Sequence, residues 1–386
     1  MTKSINKTVA DVFLHMADML ESGGAERLPV AITALGSEHG EAPLYEAAKQ
    51  AADQGVSVKL IGSQALEYPG VEIVQAADAE EGHKRLEALL ESGEALGGVT
   101  MHYPFPIGVS TIGRVITPAT GKEMYIATTT GTTALDRVEG MVRNAIYGII
   151  TAKACGIANP TVGLLNVDGA RQTEIALQKL QSAGYPITFA QSGRSDGGAV
   201  MRGNDLLSAS CDVMVTDPLT GNILMKMFSA YSTGGNYESL GYGYGPGLGE
   251  GFEKLILIIS RASGTPVAKN ALLFAAQLLR GGYKNVFAKE IAAAKKAGLE
   301  AILADLQKDK KQTEPKEDLS APPKEVVTEE IMGIEILDLE DAVSCLWAAG
   351  IYAESGMGCT GPVVMIAEDK LEKACEELKD KGYIAG

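Results

Sequence analysis

The stretch Glu354-Ser-Gly-Met-Gly-Cys-Thr-Gly-Pro362 places one cysteine, Cys359, among closely spaced glycines. Glycine adopts positive φ readily, so the N–H groups of Gly358, Thr360 and Gly361 can turn inward as an anion-binding nest. A sulfur held in such a nest is stabilised as thiolate, and the same N–H groups suit an oxyanion hole. The pattern therefore indicates a nucleophile in a turn between a helix and a strand, although an inert small residue in a tight turn fits it equally well.

Two further segments carry polar groups suited to a phosphate or acyl oxygen. Thr130, Gly131 and Thr132 follow a predicted strand and precede a predicted helix at about residues 134–154, whose free N–H groups would attract an anion. Asn222 and Lys226 are four residues apart near the start of another predicted helix, so their side chains share one face. Ordinary capping and a solvated lysine are the competing interpretations.

A third segment ends in Ser260 and Arg261, between a predicted strand at residues 255–259 and a predicted helix at about Pro266–Arg280. A serine, an arginine and a helix start suit a phosphate oxygen, although a capped turn with a surface arginine also fits. The preceding stretch, Tyr242–Gly251, is dense in glycine but does not match a dinucleotide fingerprint, which should follow a strand and open a helix. It is typical of a mobile loop lining a cleft, or of a long crossing.

Charge and cysteine content restrict the class of protein. The 386-residue chain has a net charge of -15, which disfavours nucleic acid and anionic membrane surfaces as partners. Its five cysteines form no CxxC pair, so neither a disulfide framework nor a zinc site is indicated. The polar N-terminus does not resemble a signal peptide, and no apolar run reaches the length of a membrane span. A cytoplasmic enzyme with free thiols is expected.

Hydrophobic periodicity predicts an α/β fold with a mostly parallel sheet and helices on both faces. An amphipathic helix at residues 6–22 is followed, from residue 28 onward, by alternating apolar runs and amphipathic segments. A long helix is predicted at residues 289–311, before a charged linker at 307–324 that has almost no apolar residue. A small module at 325–386 should hold a strand at 334–337, a helix at 339–352, the cysteine turn, a strand at 363–367 and a final helix.

Several of these motifs resemble those of phosphate acyltransferases, the group that includes the phosphotransacetylases. The similar segments are Ala154–Asn166, Gly203-Asn204, Cys211–Lys226 and Gly249–Arg261, with a looser match at Gly36–Gly40. The resemblance implies an isopropylmalate-dehydrogenase-like, two-lobed body over residues 1–306, with its site in the cleft. Lobe one would cover about 1–133 and 265–306, and lobe two about 134–264.

The chain departs from the phosphotransacetylase pattern at one position. The acidic residue that the resemblance implies six positions after Arg261 is Val267. In those enzymes it would deprotonate the thiol of coenzyme A, so its loss speaks against free coenzyme A as the substrate. A thioester already bound to protein would need no such base.

With the cysteine-bearing module included, the whole chain resembles the alpha subunits of component C of glycine/sarcosine/betaine reductase complexes. This resemblance implies that Cys359 carries an acetyl thioester derived from a carboxymethyl selenoether on selenoprotein A, and that phosphate releases it as acetyl phosphate. It further implies a beta subunit as partner in a hetero-oligomer, with no cofactor beyond the covalent acetyl group. The alternatives are an ordinary phosphate acyltransferase using coenzyme A or acyl-carrier-protein thioesters, and a non-catalytic scaffold for the beta subunit.

Overall fold

The computed structural model describes residues 28–193, 198–311, 321–334, 338–358 and 361–384. The predicted helix at residues 6–22, residues 312–320 of the predicted linker, and both Cys359 and Thr360 lie outside these ranges.

Strands and helices alternate through most of the described chain. The strands are β1 Pro29–Thr33, β2 Ser57–Gly62, β3 Val71–Gln75, β4 Gly97–Thr100, β5 Val109–Ile116, β6 Glu123–Thr132, β7 Thr161–Leu165, β8 Thr188–Phe189, β9 Val200–Met201, β10 Val213–Val215, β11 Gly245–Leu248, β12 Ile256–Ile258, β13 Glu329–Met332, β14 Ala353–Gly358 and β15 Gly361–Ile366. The α-helices are α1 Ala42–Ala52, α2 Ala79–Ser92, α3 Arg137–Ala154, α4 Ala170–Ser182, α5 Gly203–Ser208, α6 Pro218–Ala230, α7 Thr265–Arg280, α8 Tyr283–Lys296, α9 Leu299–Lys311, α10 Leu339–Ala348 and α11 Leu371–Asp380.

Twelve of the described strands form one continuous sheet in the order β3-β2-β1-β4-β12-β11-β5-β6-β10-β7-β8, with β9 also paired to β7. Pairing is parallel within β3-β2-β1-β4-β12 and within β6-β10-β7, and antiparallel from β12 through β11 and β5 to β6. The sheet therefore has two parallel halves joined by two antiparallel strands. β12, although it lies within residues 134–264, pairs with β4 in the first half.

Helices cover both faces of each half, because successive residues of a buried strand point to opposite faces. In β1, Val30 and Ile32 pack in one core cluster with helices α1 and α7, whereas Ala31 packs with Leu86 of α2 in another cluster. In β6, Tyr125 packs with α3 and Ile126 with α6. Burial on both faces explains the continuous apolar runs of the sequence, and it confirms the predicted fold class.

Two predicted features of the body are wrong. The glycine-dense stretch Tyr242–Gly251 contains the buried strand β11 and is not an open loop, because its bare backbone fits closely between β12 and β5. The single helix predicted at residues 289–311 is two helices, α8 and α9, separated at Gly298, where φ is +88°. Glycine tolerates this left-handed conformation and so ends a helix.

The module has a hydrophobic core of its own, formed by α10, α11 and the antiparallel sheet β13-β15-β14. Its first described strand is Glu329–Met332. Of the strand predicted at 334–337, Ile334 is not in a strand and residues 335–337 lie outside the described ranges. Glu354–Met357 were predicted as part of a turn, but they form most of β14, which pairs with β15 along its whole length. The described register ends at the pair Gly358–Gly361, and Cys359 and Thr360, which stand between them in the sequence, lie outside the described residues.

None of the helices in the described ranges is long and apolar enough to cross a membrane.

A substitution at Gly221 tests the close contact between α6 and strand β6 of the sheet. A Cβ on Gly221 would overlap the carbonyl oxygen of Thr128 in β6, so Gly221→Ala should lower the free energy of unfolding by about 1–3 kcal/mol. Urea denaturation followed by circular dichroism measures this change. The matched control is Gly140→Ala in α3, where the added methyl group meets its nearest atom at 3.9 Å and should stabilise the helix by about 0.5–1 kcal/mol. Equal effects of the two substitutions would contradict close packing at Gly221.

Candidate active site

A cavity of about 530 Å³ lies where residues from both halves of the sheet meet. The first half contributes the segment after β4, from Met101 to Phe105, and the end of β12, from Ile258 to Arg261. The second half contributes Thr130 and Gly131 at the end of β6, with Asn222 and Lys226 on α6. The carboxyl ends of strands in α/β sheets are the usual positions of ligand sites, and this arrangement is an instance of that rule.

The cavity brings together most of the body residues that the sequence indicated. Ser260, Arg261, Asn222, Lys226, Thr130 and Gly131 all line it, whereas Thr132 lies beyond it at the exposed end of β6. These six residues bring one guanidinium, one ammonium, one amide and two hydroxyl groups to the lining, which also includes the Glu38 carboxylate. This set of donors suits an anion such as phosphate.

Hydrogen bonds within the turn hold Ser260 and Arg261 in place. The Ser260 hydroxyl accepts the N–H of Ala262 at 3.1 Å, and the Ser260 N–H donates to the Ser263 hydroxyl at 3.1 Å. The Arg261 carbonyl accepts the N–H of Glu38 at 2.9 Å, which fixes the loop after β1 against this turn. The guanidinium of Arg261 is exposed, so it is available to a ligand in the cavity.

Asn222 and Lys226 occupy one face of α6, as their spacing predicts. The Asn222 amide donates to the Thr129 carbonyl at 3.2 Å, which orients it along β6. The Lys226 side chain is 58% exposed, and its Nζ lies 5.6 Å from the centre of the Tyr244 ring. Lys226 therefore belongs to the cavity wall and is not simply a solvated surface lysine.

The prediction that Thr130–Thr132 open a helix is wrong. These residues belong to β6, and α3 begins only at Arg137. The side chain of Asp136 caps that helix by accepting the N–H of Glu139 at 2.9 Å, so a carboxylate already occupies its positive end. Thr130 and Gly131 face the cavity from a strand, and they offer it a hydroxyl and backbone groups in place of a helix dipole.

Glu238 was not indicated by the sequence, where it stands alone in a loop rich in glycine, serine and tyrosine. It is only 3% exposed, and its carboxylate accepts the hydroxyls of Tyr244 at 3.0 Å and Ser263 at 3.2 Å. Burial, together with this carboxylate, raises the pKa of Tyr244, so the phenol stays protonated as a hydrogen-bond donor. Lys226 Nζ lies 4.0 Å from the same carboxylate.

Part of the cavity lining is aromatic. The ring centres of Tyr103 and Phe105 are 5.0 Å apart, and Phe252 packs against Phe105 at 5.6 Å. Burial and the neighbouring Glu87 carboxylate raise the pKa of Tyr103 to about 12. The cavity lining therefore combines cationic groups suited to phosphate with aromatic side chains suited to an acyl group.

Val267 lies in the first turns of α7 and is completely buried in the main core. The position at which the phosphotransacetylase pattern has an acid is thus part of the packing between α7 and the sheet.

The described part of the module contacts the body at the start of α4, where the Gln172 amide donates to Asp338. Cys359, the predicted nucleophile, and Thr360 lie outside the described residues, while Gly358 and Gly361 form the paired ends of the flanking strands. Two of the other cysteines are poor nucleophiles, because burial raises the thiol pKa of both Cys155 and Cys211.

Comparisons with known proteins identify the family of the chain. A family model described as "Fatty acid synthesis protein" matches residues 28–365. The chain is 58% identical over 384 residues, 99% of each protein, to the glycine/sarcosine/betaine reductase complex component C subunit alpha of Peptoclostridium acidaminophilum. It is 28% identical over 254 residues to the phosphate acyltransferase of Deinococcus radiodurans, over 54% of this chain and 68% of that protein. A branched-chain phosphotransacylase structure from Enterococcus faecalis aligns at 17% identity and TM-score 0.44, over 65% of this chain and 99% of that chain.

The chain therefore belongs to the fatty acid synthesis protein family, and it shares nearly its whole length with a component C alpha subunit. The resemblance to this group and to the phosphate acyltransferases, predicted from the sequence, is confirmed.

Thiol alkylation tests the burial of Cys155 and Cys211. Because a raised pKa lowers the thiolate fraction near neutral pH, both residues should remain unmodified by iodoacetamide in the native protein and react after unfolding in denaturant. Peptide mass spectrometry measures the modified fraction at each site. Cys375, which is half-buried on α11, is the matched control and should react before Cys155 and Cys211. Rapid native labelling of Cys211 would contradict its enclosed position.

Proposed function

We propose that the chain is the acyl-phosphate-forming subunit of an amino-acid reductase complex. In this role it carries an acetyl thioester on Cys359 and releases acetyl phosphate by phosphorolysis. The observation that carries the proposal is the cavity, which combines Arg261 and Lys226 with Ser260 and an apolar wall. The similarity over 99% of a component C alpha subunit supports the assignment to such a complex.

Phosphorolysis needs an anion subsite next to an acyl group. A phosphate oxygen attacks the thioester carbonyl carbon, a C–O bond forms, the C–S bond breaks, and the Cys359 sulfur leaves. The proton carried by hydrogen phosphate passes to the departing sulfur, so acetyl phosphate and a free thiol are the balanced products. Arg261 and Lys226 would hold the phosphate, with Ser260, Asn222 and Thr130 as further donors.

Because the proton comes from hydrogen phosphate, phosphorolysis can proceed in a site that has Val267 in place of an acidic residue. An acyltransferase acting on coenzyme A must deprotonate an incoming thiol when it runs towards the thioester. Phosphate attacking an existing thioester brings its own proton, and the leaving sulfur accepts it. The buried valine is therefore compatible with phosphorolysis of a thioester, and it leaves no carboxylate at this position to deprotonate free coenzyme A in the reverse direction.

The partners follow from the proposed complex. The acetyl unit would arrive from the carboxymethyl selenoether of selenoprotein A. A second thiol would reduce the Se–C bond and end as a selenenyl sulfide, and condensation of the carboxyl group with the Cys359 thiol would release water. A beta subunit of component C would assist this transfer. The separate core of the module supports a carrier role, because a hairpin with its own packed support can present a thioester as a unit.

Loss of the sulfur should abolish acyl loading. After incubation with acetyl phosphate, which runs the reaction in reverse, intact-protein mass spectrometry should show one acetyl group on the wild type and none on Cys359→Ala. Cys375→Ser is the matched control and should load normally, because it leaves the hairpin intact. An adduct that persists in Cys359→Ala would place the carrier elsewhere, and turnover of free acetyl-CoA by that variant would favour an ordinary phosphate acyltransferase. A wild-type chain that does not load even with its beta subunit would indicate a scaffold.

Removal of the Arg261 guanidinium should weaken phosphate binding more than it lowers the rate of acyl transfer. Arg261→Ala should raise the KM for phosphate about 10- to 100-fold, the range expected for losing hydrogen bonds to a charged group. Steady-state acetyl phosphate formation by the assembled complex at varied phosphate measures the change. Arg280→Ala, at the far end of α7, is the control and should leave this KM unaltered. An unchanged KM in Arg261→Ala would remove Arg261 from the phosphate subsite.

A further inference from the structure

Glu238 lies in the loop between α6 and β11, directly behind side chains that line the cavity. Its carboxylate is almost wholly buried, and both of its oxygens accept hydrogen bonds. One accepts the Tyr244 hydroxyl at 3.0 Å, and the other accepts the Ser263 hydroxyl at 3.2 Å. Lys226 Nζ lies 4.0 Å from the oxygen that Tyr244 also contacts.

The backbone of Glu238 also contacts the turn that carries Ser260 and Arg261. Its N–H donates to the Ala262 carbonyl at 2.9 Å, and its carbonyl accepts the N–H of Gly264 at 2.8 Å. Ser263, which donates to the carboxylate, accepts the N–H of Ser260 at 3.1 Å. One residue thus connects to both cationic elements of the cavity, the turn at β12 and the lysine on α6.

Glu238 can hold the Lys226 ammonium in place because the Glu238 carboxylate is buried whereas the Lys226 side chain is largely exposed. Lys226 has a flexible stem and a largely exposed side chain, so without a partner its ammonium would sample solvent. Glu238 is fixed by two hydroxyl donors and is too deep to follow the lysine outward. The buried charge also needs a cation nearby to offset its desolvation. The lowest-energy position of the ammonium is therefore against the cavity wall.

We propose that Glu238 is a positioning residue of the phosphate subsite, which holds the Lys226 ammonium in the cavity and fixes the turn bearing Ser260 and Arg261. The inference rests on the proposed function, because it takes phosphate as the anion that these groups receive. Glu238 does not itself contact the phosphate. Its contribution is preorganisation, since the cations are already placed before the anion arrives.

The chain offers a matched control for this role. Glu290 is 6% exposed, and it accepts the Lys153 ammonium at 2.8 Å and the Tyr185 hydroxyl at 3.0 Å. It therefore has the same types of partner as Glu238, but Lys153 and Tyr185 do not line the cavity. Glu290→Gln reports what the loss of a buried carboxylate does to stability alone.

The first measurement is the Kd of inorganic phosphate for the full chain, by isothermal titration calorimetry. Glu238→Gln preserves the size of the side chain and removes its charge, so the Kd should rise about tenfold, whereas Glu290→Gln should leave it unchanged. In a Lys226→Met background, Glu238→Gln should raise the Kd of phosphate far less than it does in the wild-type chain, because much of its effect on binding depends on Lys226. Full additivity of the two substitutions, or an unchanged Kd in Glu238→Gln, would overturn the inference.

The second measurement does not depend on phosphate. The rate at which a trace amine-reactive reagent labels Lys226, followed by peptide mass spectrometry, should rise in Glu238→Gln because the ammonium leaves the wall. If Glu238→Gln does not fold, Ser263→Ala removes one of the two hydroxyl donors and should shift the phosphate Kd in the same direction. If labelling of Lys226 rises in Glu238→Gln but the wild type binds no phosphate, the proposed function is contradicted. The role of Glu238 as the group that holds Lys226 would then still stand. Unchanged labelling would contradict the inference itself.

Discussion

The site depends on the continuity of one sheet across two halves whose polar groups must meet. Ser260 and Arg261 follow β12 in the first half, whereas Asn222 and Lys226 lie on α6, which packs on β6 in the second. The antiparallel strands β11 and β5 join these halves by backbone hydrogen bonds. Because both faces of the sheet are covered by helices, the separation between the two sets of groups is set by close-packed strands and helices.

The charged groups at the cavity differ in how deeply they are buried. The carboxylate of Glu238 is buried and each of its oxygens accepts a hydroxyl, whereas Lys226 and Arg261 are exposed. A buried anion behind exposed cations orients them without occupying the space that a ligand needs. The aromatic wall formed by Tyr103 and Phe105 completes the cavity with a surface that an acyl group can contact without losing hydrogen bonds.

The module contributes in a different way, because its core is separate from that of the body. Its three strands and two helices enclose their own apolar side chains, and a hydrogen bond between Gln172 and Asp338 is among its contacts with α4. A unit of this kind keeps the hairpin of β14 and β15 intact independently of the cavity. The proposed carrier and the proposed phosphate subsite are therefore built on structurally distinct supports.

Much of this could be predicted from local patterns. Continuous apolar runs indicated buried parallel strands, and the four-residue spacing of Asn222 and Lys226 placed both on one helix face near the cavity. The turn at Ser260 and Arg261 was found from its position between a strand and a helix. Two of the errors originate in pairing between distant segments. Thr130–Thr132 are in a strand because they pair with residues 109–111, and Tyr242–Gly251 contains a strand because β5 and β12 flank it.

The sequence alone determined the α/β class, the separate module and most of the polar residues at the cavity, since each depends on periodicity or chemistry within a short window. Tertiary structure decided which glycine-rich segments are strands, that Val267 belongs to the core, and that Glu238 lies beside Lys226. These features arise from contacts between residues far apart in the chain. Local propensity does not encode such contacts, because their energies come from packing and hydrogen bonds that form only when the sheet is assembled.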